Sequence, residues 1–142
     1  MTKPRDTHAN LIPVVRYADC NAALTMFIEV FGFTLGNVFR DDAGQVMHGE
    51  FSFGHGGVMI GPVADTPFGK YMRQPKEAGG ITASFFVIVT DPDALFAKCE
   101  AAGLEVLMGL RDESYGSREF TVRDVEGHIW TFGTYEIAAG IA

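Results

Sequence analysis

Two cysteines in a chain of 142 residues are too few for a disulfide framework, and both, Cys20 and Cys99, fall in stretches that read as helix. That scarcity points to a reducing compartment, with the two thiols serving as small apolar fillers. Basic residues are also few: 11 Lys and Arg stand against 18 Asp and Glu, a net charge of −7. A nucleic-acid surface needs clustered Lys and Arg, so no nucleic-acid partner is expected. No apolar run approaches the roughly 18 residues that cross a bilayer. The opening Met1-Thr2-Lys3-Pro4-Arg5-Asp6 has no apolar signal core. A cytoplasmic protein without a membrane partner is the expectation. Short chemical signatures are missing as well: no GxGxxG, Walker A, CxxC, GxSxG or HExxH pattern occurs.

What the chain does have is apolar mass and turns: 47% hydrophobic residues, 17 Gly and 12 Phe. A chain of this length buries roughly 70% of its unfolded surface, enough for a real core, and residues 1–142 read as a single domain. Within it one grammar occurs twice. Leu11-Ile12-Pro13-Val14-Val15-Arg16-Tyr17 reads as a strand, followed by a helix that stops at Gly32 and strands that end near Gly61. Ser84-Phe85-Phe86-Val87-Ile88-Val89 opens the second copy, whose helix stops at Gly103 and whose last strand ends near Gly133. The helix-ending glycines are 71 positions apart and the strand-ending ones 72. Two βαβββ modules, about 11–61 and 81–136, are therefore expected, joined by a Pro- and Gly-rich linker over about 62–80. The expected class is α+β, with the modules forming curved mixed sheets around a cleft.

Local signals support the modules. Asp19 and Asp91 suit helix N-caps, and Pro92 suits a first helical position. Leu24, Phe27, Ile28 and Phe31 follow the i, i+3, i+4, i+7 spacing of a buried helix face. Leu95, Cys99 and Ala102 give the equivalent stripe in the second helix. Gly54-His55-Gly56-Gly57 reads as a hairpin turn.

The stretch Tyr115-Gly116-Ser117-Arg118-Glu119-Phe120-Thr121-Val122-Arg123-Asp124-Val125-Glu126-Gly127-His128-Ile129-Trp130 resembles the ending of bleomycin-resistance-like proteins. Val125 replaces their usual proline. Arg73-Gln74-Pro75-Lys76-Glu77-Ala78-Gly79-Gly80 is similar to their linker. With the duplicated module, the chain resembles the vicinal-oxygen-chelate superfamily, which includes glyoxalase I, extradiol dioxygenases and bleomycin-resistance proteins. The resemblance runs from about Ile12 to Glu136. It implies a homodimer and a cleft that takes a small molecule.

Metal-dependent members of that superfamily carry one His, Glu or Gln in each of four strands. By motif those positions fall on Ile12, Met59, Phe85 and Thr131. Ile and Phe cannot bind a metal, and thioether and hydroxyl are poor replacements for imidazole and carboxylate. A one-residue slip does not rebuild the set. No metal and no other cofactor are expected.

Strand alternation then sorts the hollow. Ile12, Val14, Arg16, Met59, Phe85, Val87 and Thr131 are assigned to it. Aligning Glu50-Phe51-Ser52-Phe53 with Glu119-Phe120-Thr121-Val122 adds His48, Glu50, Glu119 and Thr121, and sends the aromatic residues to the core. Apolar walls with a few polar points make a small-molecule site. His48 and Glu50 are the candidate catalytic pair, or else a hydrogen-bonded surface pair. Arg16 is a candidate anion clamp or an ion-pair partner. Tyr115 and Arg118 are candidate rim residues, while Trp130 is expected to pack in the core and His128 to fix its loop. The leading reading is a small-molecule binding protein. The alternatives are a lyase, isomerase or dioxygenase-like enzyme, and a non-catalytic dimeric structural or regulatory domain.

Overall fold

The computed structural model describes residues 2–138, which divide into two compact units between Gln74 and Pro75. The boundary lies inside the expected linker. That linker is partly ordered, with a 3-10 turn at Gly69–Tyr71 and a one-turn helix, α2, at Pro75–Ala78.

The first unit begins with strand β1 (Val14–Tyr17) and helix α1 (Cys20–Thr25). It continues through β2 (Thr34–Arg40), β3 (Val46–Phe53) and β4 (Gly56–Pro62). The strand order is β1-β4-β3-β2, with β1 parallel to β4 and the other pairs antiparallel. Helix α1 starts where the Asp19 carboxylate accepts the Ala22 N–H at 3.0 Å, a cap contributing about 1 kcal/mol. After Thr25 the helix widens into a π turn, Met26–Val30, in which the Phe31 N–H reaches the Met26 carbonyl at 3.0 Å. The extra residue per turn rotates the buried face. Ala23, Met26, Phe27 and Phe31 are buried, whereas Leu24 and Ile28, expected on that face, are only half-buried. Phe27 is the hub: its ring stacks on Phe51 at 4.7 Å and meets Tyr17 and Phe31 edge-on.

The second unit repeats the plan with β5 (Phe85–Ile88), α3 (Pro92–Ala101), β6 (Glu105–Asp112), β7 (Arg118–Arg123) and β8 (Ile129–Gly133). Its order is β5-β8-β7-β6, again with one parallel pair at the opening strand. Asp91 caps α3 through the Ala94 N–H at 3.1 Å, and Pro92 follows it. Both helices stop at a left-handed glycine, Gly32 at φ 76° and Gly103 at φ 77°, a conformation that side chains resist. The core packs Cys99, Phe120, Val122, Trp130 and Phe132. Of the stripe expected on α3, Cys99 is buried, Leu95 is half-buried and Ala102 is exposed.

The motif that carries the resemblance has a structural task here. The buried Asp124 carboxylate accepts the backbone N–H groups of Glu126 at 2.9 Å and His128 at 3.1 Å, and the Trp130 indole N–H at 3.0 Å. One carboxylate thus ties the β7–β8 turn to the core indole. No helix among the described residues is long and apolar enough to cross a membrane.

Candidate functional site

Each sheet has one face under its helix and one open face, and paired residues on neighbouring strands share a face. In the first unit Val15 pairs with Ile60, and both are buried under α1. Val14 pairs with Met59, Met59 with Glu50, and Arg16 with Gly61, so these residues stand on the open face. Alternation adds His48. Ile12 approaches from the same side, 3.9 Å from where a Cβ on Gly57 would sit. The assignment of Ile12, Val14, Arg16, His48, Glu50 and Met59 to one face therefore agrees with the register.

Three contacts organise this face. His48 Nε2 and Glu50 Oε2 are 2.8 Å apart, with about a third of each side chain accessible. The Glu50 carboxyl lies below the ordinary range, chiefly because of the His48 hydrogen bond and in smaller part because of Asn37. Arg16 lies across Gly61: a Cβ there would come 2.7 Å from Arg16 Nη1. The same nitrogen donates to the Pro62 carbonyl at 3.4 Å, and the guanidinium sits 5.7 Å from the Phe68 ring.

In the second unit the open face centres on Thr121 and Thr131, whose hydroxyl oxygens are 2.8 Å apart across a paired register. Beside them is Glu119, only 1% exposed. Its carboxylate accepts from the Tyr115 hydroxyl and from Ser117 Oγ at 3.2 Å, with Arg111 Nη2 at 3.6 Å. The Glu119 hydrogen bond pushes the Tyr115 hydroxyl up to about 12, because ionising the phenol would place two anions in contact. Glu119 is thus a covered anchor that fixes Tyr115 and Arg111, not a bare polar point. Ser117 and Arg111 were not assigned to the site from sequence. The alternation of β7 offered a signal for Ser117, two residues before Glu119. Arg118, expected at the rim, forms a two-pronged pair with Asp93 at 2.7 and 3.0 Å and contacts Asp112 at 3.2 Å.

Two expectations are corrected. Phe85 and Val87 do not share the face of Thr131. Phe85 pairs with Trp130 and its ring lies 4.5 Å from the indole, while Val87 pairs with Phe132. Both point to the helix side. Phe86, paired with Thr131, and Ile88, paired with Gly133, take the open face and are 44% and 49% exposed. The second correction concerns equivalence between the modules. Glu50 pairs with Met59 as Thr121 pairs with Thr131, so Glu50 corresponds to Thr121 and not to Glu119. Glu119 instead pairs with Gly133, two residues along from the Thr121–Thr131 pair. A shift of two preserves the face, so the aromatic residues still go to the core.

The motif positions of the superfamily's ligand set are Ile12, Met59, Phe85 and Thr131, with Phe86 in place of Phe85 on the open face. They supply no imidazole and no carboxylate, so this donor set does not fit the metal. Among the described residues no three His, Cys, Asp or Glu side chains converge elsewhere.

Residues 8–132 match the family described as Glyoxalase/Bleomycin resistance protein/Dioxygenase superfamily. An uncharacterized protein of Mycobacterium bovis, Mb0911c, is 29% identical over 124 residues, covering 87% of this chain and 81% of its own length. Among solved structures, TioX from Micromonospora sp. ML1 is 31% identical with a TM-score of 0.68, covering 87% of this chain and 95% of that one. A glyoxalase/bleomycin resistance protein/dioxygenase from Alicyclobacillus acidocaldarius superposes with a TM-score of 0.62 at 16% identity, covering 94% of this chain and 93% of that one.

Proposed function

The chain belongs to the Glyoxalase/Bleomycin resistance protein/Dioxygenase superfamily, and from that premise we propose that it binds a small organic molecule on the open faces of its sheets, without the family's usual metal centre. The observation that carries this reading is the chemistry of those faces. The four positions due to hold metal are apolar or hydroxylic, yet charged and hydroxyl groups beside them are held in place. Arg16 is stacked and hydrogen-bonded, and His48 is gripped by Glu50. Thr121 bonds Thr131. Apolar area supplies affinity and fixed polar groups supply orientation. Groups already ordered lose little entropy on binding.

The test is a screen of small organic acids, amines and aromatic compounds against isotopically labelled protein. A specific binder should perturb amide signals of Val14, Arg16, His48, Glu50 and Met59, or of Phe86, Thr121 and Thr131. Signals on the helix side should move less. A screen with no saturable binder would contradict the reading and favour a dimeric platform without a ligand.

A further inference from the structure

The pair His48–Glu50 is built more carefully than a surface contact requires. The β2–β3 register jumps between Leu35↔Phe51 and Val38↔Gly49, leaving Gly36 and Asn37 outside the regular pairing. Such a bulge frees a backbone N–H from the ladder and re-aims its side chain. Here Asn37 helps to keep the Glu50 carboxyl low. Gly36 lets the strand approach: a Cβ there would lie 3.3 Å from the Glu50 carbonyl oxygen and 3.6 Å from its Cβ. The bulge thus lies beside Glu50, and the Glu50 carboxylate holds an imidazole through Nε2. An ionised acceptor at Nε2 selects the tautomer with its proton there, leaving Nδ1 as a base.

Two further groups share this face. Continuing the pairing one step from Gly49↔Ile60 sets His48 opposite Gly61, and Gly61 pairs with Arg16. Two strand spacings place the Arg16 and His48 backbones about 9–10 Å apart. The gap between them is floored by a glycine, and the Arg16 guanidinium lies over it. On the other flank the Phe39 ring is 5.8 Å from His48 and 59% exposed.

We propose that this face binds an aryl-substituted 2-oxo acid and catalyses its keto–enol isomerisation, with His48 as the base and Arg16 facing the developing oxyanion. The proposal rests on the small-molecule reading above. The aromatic group lies against Phe39 and the carboxylate and carbonyl oxygens face Arg16. The acidic C–H beside the carbonyl then points at His48 Nδ1. His48 takes that proton, the C–H electron pair becomes the enol double bond, and the carbonyl π pair moves to oxygen. The imidazolium returns its proton to that oxygen, so the step is an isomerisation that needs no other reactant. Glu50 is a positioning residue that stabilises the imidazolium between the two transfers.

Exchange of the benzylic protons of phenylpyruvate in deuterated buffer, followed by proton NMR, tests this with the full chain. The expected result is exchange faster than that given by free imidazole at the protein's concentration. His48→Ala should reduce it by about 10²–10⁴-fold, and added imidazole should restore part of it. Glu50→Gln should lower kcat with KM unchanged, and Arg16→Met should raise KM. Exchange no faster than with free imidazole, or unaltered in His48→Ala, would overturn the proposal. Phenylpyruvate that perturbs open-face signals without exchanging would also overturn it, while leaving the binding reading intact. Failure of phenylpyruvate to bind would overturn it too, whereas the binding reading falls only if the wider screen finds nothing.

Discussion

At the scale of residues, the polar groups on the two sheets differ in what secures them. Glu119 is covered and held by Tyr115, Ser117 and Arg111, whereas Glu50 stays partly accessible and is held by His48. This difference sets a pH dependence. The Glu50 carboxyl is depressed in the folded chain, so its stabilising contribution is full above the ordinary carboxylate value of about 4.3. It fades as pH falls through the depressed folded value, because protonation then removes the charged acceptor. Glu50→Gln should therefore be less stable than the parent at neutral pH, by no more than about 1 kcal/mol for so accessible a pair. The gap should close below about pH 4. Chemical denaturation of both proteins across that range is the check, and a gap that widens in acid would contradict the assignment.

Elements explain where sequence reasoning succeeded and where it failed. Strand β1 carries Arg16 between Val15 and Tyr17, so one charged residue reveals which parity is open. Strand β5 is Phe-Phe-Val-Ile and apolar on both faces, so nothing in it distinguishes Phe85 from Phe86; only pairing with Trp130 and Thr131 does. The repeated Glu-Phe pattern matches Glu50 to Glu119, but the pairing of Glu50 with Met59 and of Thr121 with Thr131 overrides that match. The π turn after α1 rotates a helix face whose apolar spacing predicts a regular helix. The bulge at Gly36 and Asn37 had no legible signal beyond the glycine itself. The two strand-ending glycines yield a paired prediction. A Cβ on Gly133 would sit 2.7 Å from the Glu119 Cβ and 2.9 Å from Phe86 Cζ, against a covered, anchored side chain. At Gly61 the nearest atom is the far end of the flexible Arg16 side chain. Gly133→Ala should cost about 1–3 kcal/mol, as overpacking does, and Gly61→Ala much less. Melting curves of the two variants decide this; equal losses would contradict the packing described.

For the whole molecule, the family and the two-module plan were legible because they rest on repeated elements spread over the chain, which single-residue errors do not erase. A metal centre of the family's kind needs donors at four separate strand positions, and Ile12, Met59, Thr131 and either Phe85 or Phe86 supply no imidazole or carboxylate. The register exchanges Phe85 for Phe86 on the open face and leaves Ile12 where it was assigned. Edge strands β2 and β6 carry exposed apolar residues, including Leu35 at 41% and Met108 at 50%. Such edges are commonly covered in solution. This supports the proposal that the chain is a homodimer, and light scattering on an eluting peak should give twice the 15.4 kDa chain mass. A monomer mass at all concentrations would refute it.

The most direct test of the central claim is elemental analysis of protein purified without an affinity tag, paired with melting scans with and without chelator. The account predicts metal far below one equivalent and a melting temperature that chelator does not change. Near-stoichiometric metal with a chelator-sensitive melt would contradict it, and would mean that donors outside the four strand positions build a centre.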